Sequence, residues 1–92
     1  MIDIVKADKL IRNKFGSENI RFVQANKDEV TIGFYNEEDA LKFYDDLQEL
    51  ENSRMSLIRK KGFLEEYWRV TVTENRFRIY QKQEEERWLQ MK

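Results

Sequence analysis

Apolar residues along this chain repeat with two different periods, and the changes between them divide it into helices and strands. From Asp3 to Phe15, the residues Ile4, Ala7, Leu10, Ile11 and Phe15 recur at three- and four-residue spacing. That spacing places them on one stripe of a helix. Asp3 is the expected N-cap, and Gly16 stands where a left-handed C-terminal residue is wanted. A short strand over Met1 to Val5, with the helix starting near Lys6, is the alternative. Two alternating runs follow, Asn19 to Ala25 and Glu29 to Phe34, joined at Asn26-Lys27-Asp28. A two-residue loop would put Arg21 opposite Ile32 and mix polarities. A three-residue loop pairs Ile20–Phe34, Phe22–Ile32 and Gln24–Val30 on one face, with Arg21–Gly33 and Val23–Thr31 on the other, and is the register expected.

The helical period returns after Asn36, a second expected N-cap, with Ala40, Phe43, Tyr44, Leu47 and Leu50 as its stripe. Asp39 in its first turn suits the helix dipole. This helix is expected to run to about Asn52. The last third reads as β-rich. A strand around Met55 to Arg59 turns at Lys61-Gly62, with a bulge accounting for Leu57-Ile58 and Glu65-Glu66. Trp68–Thr73 and Arg76–Lys82 then form a hairpin around Glu74-Asn75, pairing Val72 with Phe77, Val70 with Ile79 and Trp68 with Gln81 inward. Glu84 to Met91 reads as a short terminal helix carrying Trp88, Leu89 and Met91.

The expected fold is therefore α+β: an antiparallel sheet of four to five strands with two main helices gathered largely on one face. Its order is α-β-β-α-β-β-β-short α, in one compact domain. Ninety-two residues leave no room for a second core, and there is no proline, linker or repeat to mark a boundary. Met1-Ile2-Asp3-Ile4-Val5-Lys6 lacks a basic region followed by a long apolar run, and no eighteen apolar residues are consecutive. Neither a secretory signal nor a membrane span is expected, and cytoplasm is the expected compartment.

Charge is abundant and segregated. The net charge of −1 conceals −6 over residues 36–52 and +5 over residues 53–82. Such separation can steer charged partners, or simply solvate opposite sides of the fold.

Chemistry is scarce by contrast. The chain has no histidine and no cysteine, which removes the usual general base, the thiolate nucleophile and the commonest zinc ligands. Gly16, Gly33 and Gly62 are isolated, so there is no phosphate-cradling loop. Asp45 and Glu49 share a helix face at one-turn spacing and could hold a hard cation weakly, but a solvated acidic ridge is the better reading. No enzyme activity, cofactor or metal is expected.

Val30-Thr31-Ile32-Gly33-Phe34 followed by Asn36-Glu37-Glu38-Asp39-Ala40 resembles the third strand and second helix of an RNA-recognition motif over about fifteen residues. In that family aromatic rings on the strand stack bases. Aligned on Phe34, the corresponding positions here are Glu29 and Thr31, and Ile2 to Val5 also lacks the family's aromatic. Membership is not expected.

Three surfaces remain as candidates. The acidic helix, through Glu38, Asp45, Asp46 and Glu49, would engage a protein with a basic surface. This is the leading expectation: a stoichiometric inhibitor, adaptor or regulator of the kind that phages and mobile elements carry. The terminal Trp88 and Met91 could anchor a protein interface or plug the sheet. The alternative is a single-stranded nucleic-acid-binding module using the outer face of the C-terminal hairpin. There Tyr67, Arg69, Arg76, Arg78 and Tyr80 would combine phosphate contacts with base stacking, and Arg59-Lys60-Lys61 could extend them. Unpaired sheet edges make a homodimer the expected oligomer.

Overall fold

The first helix, α1 (Ile4–Phe15), starts and stops on the expected signals. The Asp3 carboxylate accepts from the backbone N–H groups of Val5 and Lys6 at 3.1 and 3.3 Å. Gly16 closes the helix at φ 94°, a conformation that favours glycine, with its N–H on the Arg12 carbonyl at 2.9 Å. Ala7, Ile11 and Phe15 are buried, while Ile4 is exposed. The computed structural model describes residues 2–47, 54–59 and 66–90. After α1 and a single 3-10 turn (Ser17–Asn19) come β1 (Ile20–Asn26), β2 (Glu29–Phe34) and α2 (Glu37–Asp46). The described chain is completed by β3 (Arg54–Arg59), β4 (Glu66–Thr73) and α3 (Glu74–Gln90).

The strands form one antiparallel sheet in the order β1-β2-β4-β3. The α+β class and the antiparallel sheet are as expected, but the order of elements is not, because residues 76–82 are helical. No hairpin around Glu74-Asn75 exists. Val72, Val70 and Trp68 pair instead with Val30, Ile32 and Phe34 of β2, while β3 flanks β4 on its other side. Alternation over 68–82 fitted a strand pair, yet Phe77, Tyr80 and Glu84 fit a helix equally well, and those three are buried. Ile79, expected inward, is 43% exposed.

Local chemistry favours the helix. The Thr73 hydroxyl accepts from the Arg76 N–H at 3.4 Å, and Glu74 pairs with Arg78 one turn on at 2.8 Å. The run Gln81 to Arg87 is made wholly of residues with high helix propensity. The expected short helix from Glu84 is thus the end of α3.

The first hairpin also differs. Its turn has two residues, Lys27-Asp28, with Lys27 at φ 44° and Asn26 opposite Glu29. The expected pair Ile20–Phe34 survives only because the register shifts between Ile20 and Phe22. From there Phe22 faces Gly33, Val23 faces Ile32 and Gln24 faces Thr31. A bulge was expected beside β3. The described β3–β4 ladder instead runs in continuous register from Arg54 opposite Thr71 to Arg59 opposite Glu66. Helix α2 ends at Asp46 with Leu47 as its C-cap, short of the expected Asn52; residues 48–52 and the Lys61-Gly62 turn lie outside the described residues.

All three described helices pack on one face of the sheet. Ile20, Val30, Ile32, Phe34, Val70 and Val72 meet Ala7, Ile11 and Phe15 of α1, Ala40 and Phe43 of α2, and Phe77 and Tyr80 of α3. Aromatic rings run through this core, Phe15–Phe34 at 5.3 Å, Phe34–Phe43 at 5.6 Å and Phe43–Tyr80 at 5.0 Å between centroids. At its rim Lys14 donates to Glu84 at 2.7 Å and to Asp46 at 3.2 Å, so one ammonium joins all three helices. Among the described residues no helix is long and apolar enough to cross a membrane.

Candidate functional site

Every described helix lies on one side of the sheet, and among the described residues no helix covers the other side. Residue alternation along paired strands decides what stands on it. Arg69 lies opposite Gly33 and Thr71 opposite Thr31, one register row apart. The two threonine hydroxyls meet at 3.3 Å. Gln24 and Asn26 continue these rows on β1. Arg54 occupies the register position opposite Thr71 on β3.

The bulge in β1 supplies the remaining groups. Two residues, Arg21 and Phe22, are accommodated where one would keep the register, and both project onto the uncovered face. Arg12 of α1 takes up the neighbouring carbonyl, donating to Ile20 O at 3.1 Å and to Ser17 O at 3.0 Å. The Phe22 ring drapes across β2 over Gly33. A Cβ at Gly33 would sit 2.6 Å from Phe22 Cε2, so only glycine admits the ring there. Phe22 then meets Tyr67 edge to face, at 5.5 Å between centroids and 79° between planes. The Arg21 guanidinium lies over Tyr67 at 4.8 Å from the ring centroid. These groups border a depression of about 400 Å³ that continues from the aromatic pair to Gln24, Asn26 and Thr31.

Of the residues singled out from sequence for nucleic-acid contact, the structure keeps Tyr67 and Arg69 together on this face. It removes the other three. Arg76, Arg78 and Tyr80 belong to α3, on the far side of the sheet, because their segment is a helix. Arg76 is half-buried and Arg78 is engaged with Glu74, whose carboxyl it holds below the ordinary range. Tyr80 is 2% exposed, and burial pushes its hydroxyl up to about 12. Phe22 was missed because the expected register put it inward. An isolated glycine in the middle of a strand, Gly33, was the available signal, since such a residue marks a bulge or a close approach.

The acidic helix is only partly a free surface. Glu38 and Asp45 are exposed, and Leu41 stands between them at 41% exposure. Asp46 is committed to Lys14. Burial works against the Lys14 charge, but Glu84, Tyr80 and Asp46 outweigh it and raise its pKa. Glu49, Arg59's neighbours Lys60 and Lys61, and Met91 lie outside the described residues. Trp88 falls within α3, its side chain outside what the structure describes. Among the described residues no group of three or more acidic side chains is placed to hold a metal ion. Comparison with protein-family models, with curated proteins and with solved structures finds no match to this chain.

Proposed function

We propose that this chain is a non-catalytic binding module that takes single-stranded nucleic acid on the uncovered face of its sheet. One observation carries the reading: Phe22 and Tyr67 stand together on that face, flanked by the guanidinium groups of Arg21 and Arg69. Aromatic rings accept any unpaired base, and cations beside them meet the phosphates. The protein's slight net negative charge does not oppose this, because the excess acid is concentrated on residues 36–52. Helix α2, which carries the described part of that segment, packs on the opposite side of the sheet.

Fluorescence anisotropy with short labelled homopolymers of DNA and RNA tests it. Binding is expected at low salt and should weaken as salt rises, with a slope of about −0.7 per phosphate contacted. Tyr67→Ala should lower affinity by about fivefold or more, the loss of one stacked base. Arg69→Ala should flatten the salt slope. Absence of binding to every homopolymer at low salt rules the proposal out.

A protein partner engaged by α2 is the second reading, and the exposed Leu41 between Glu38 and Asp45 favours it. An apolar side chain framed by carboxylates suits a basic protein surface with an apolar notch. Charge reversal at Glu38 and Asp45, which spares the Asp46–Lys14 pair, should abolish capture of such a partner. Unchanged capture removes this version.

A further inference from the structure

We infer that the uncovered face is base-selective, with Gln24 as the side chain that reads the base and adenine as the base preferred. The inference rests on the nucleic-acid reading above and deepens it. Phe22 and Gln24 are successive outward residues of β1, so their rows lie about 6.8 Å apart, twice the rise of an antiparallel strand. Gln24 pairs with Thr31, and Thr31 with Thr71, so an amide and two hydroxyls form a polar row alongside the aromatic one. The depression beside Tyr67 runs into this row without interruption, and Gln24 is exposed within it.

A base stacked at the aromatic end therefore directs one edge toward Gln24 and Thr31. Half a ring's width plus a hydrogen bond of about 2.9 Å, with the reach of a glutamine side chain, bridges the row spacing. The Gln24 amide offers a carbonyl acceptor and an NH₂ donor side by side. Adenine presents the complement, an exocyclic amino donor beside a ring-nitrogen acceptor, and the amides of Asn and Gln are its usual bidentate readers; unpaired cytosine offers the same two groups on a smaller ring, so the choice between them falls to stacking on the aromatic pair. The threonine hydroxyls spend one hydrogen on each other at 3.3 Å. Thr71 is buried, so of the two it is Thr31, bordering the depression, whose remaining hydrogen-bonding capacity can complete a base contact. Purines also cover more of the Phe22–Tyr67 pair than pyrimidines do.

The test compares labelled oligo-A, oligo-C and oligo-U or oligo-T of equal length at one low salt concentration. The wild-type chain should bind oligo-A at least about fivefold more tightly than the pyrimidine strands. Gln24→Ala should cut the oligo-A preference by at least about threefold, leaving only the smaller preference due to stacking, with the salt slope unchanged. A merely structural role for Gln24 would weaken all three together. If the wild type binds all three strands equally, or if Gln24→Ala leaves the oligo-A preference at its wild-type size, base reading by Gln24 is wrong while nucleic-acid binding stands. If no strand binds, the binding proposal itself fails and this inference with it.

Discussion

Gly33 and Tyr80 show how single side chains set the two faces of this sheet. Gly33 matters for what it lacks, since the Phe22 ring fills the space its Cβ would take. Phe22 lies at the surface and can move, so Gly33→Ala should cost under about 1 kcal/mol of stability. It should nevertheless lift the ring from Tyr67, lose the ring-current shifts of Tyr67 in NMR spectra and weaken oligonucleotide binding. Retention of both would mean that the ring pair does not depend on Gly33. Tyr80 is the opposite case, a core residue whose buried hydroxyl has no hydrogen-bond partner among the described residues. The Lys14 ammonium faces its ring, 4.9 Å from the centroid, and Phe would keep that contact. Tyr80→Phe should therefore be neutral or stabilising by up to about 1 kcal/mol at neutral pH.

The same tyrosine predicts an alkaline limb. Its pKa is raised from 10.0 to about 12, so the protonated form is favoured by folding. That contribution is complete below pH 10 and is lost as pH rises toward 12, by on the order of 2 kcal/mol. Lys14, also raised, acts in the same direction: its charged form is held by Glu84 and Asp46, and its contribution disappears above its own pKa. Denaturant midpoints between pH 9 and 12 should fall for the wild type and fall less for Tyr80→Phe. Identical curves for the two would place the alkaline sensitivity elsewhere.

Among the elements, α3 is the one that reorganises the expected fold. Thr73 caps it and Phe77, Tyr80 and Glu84 dock it, so its middle should not tolerate proline. Arg78→Pro should cost about 3 kcal/mol or more, measured by denaturant unfolding. In a two-stranded hairpin the same exposed edge position would tolerate it better. Much of the fold was legible from sequence. Asp3 and Gly16 bounded α1, Ala40 and Phe43 marked the buried side of α2, and Val70 and Val72 marked the inward side of β4. The error at 76–82 came from a run that satisfies both periods: Phe77 and Ile79 suggested alternation, while Phe77, Tyr80 and Glu84 carried the helix. The β4 partner could not be read locally either, since β2 pairs with it across the intervening α2 and β3. Half of the proposed site, Tyr67 and Arg69, was visible as outward residues of one strand. Phe22 was hidden by a register shift that depends on Arg21 being accommodated as an extra residue.

The whole molecule separates its functions by side. Helices, the aromatic core and the Lys14–Glu84–Asp46 tie lie on one side of the sheet, and the exposed acid of α2 faces away from it. The other side holds the arginine and aromatic groups on strands rather than loops, which keeps them preorganised. The acid excess of α2, on the far side, adds little repulsion toward a polyanion on this face. A ¹H–¹⁵N NMR titration with a short single-stranded oligo-A at low salt reads this arrangement residue by residue. Amide shifts concentrated at Arg21, Phe22, Gln24, Thr31, Tyr67 and Arg69, with α2 and α3 unmoved, are the expected result. Shifts confined to α2, or none at all at millimolar oligonucleotide, would show that the uncovered face is not where this protein binds nucleic acid.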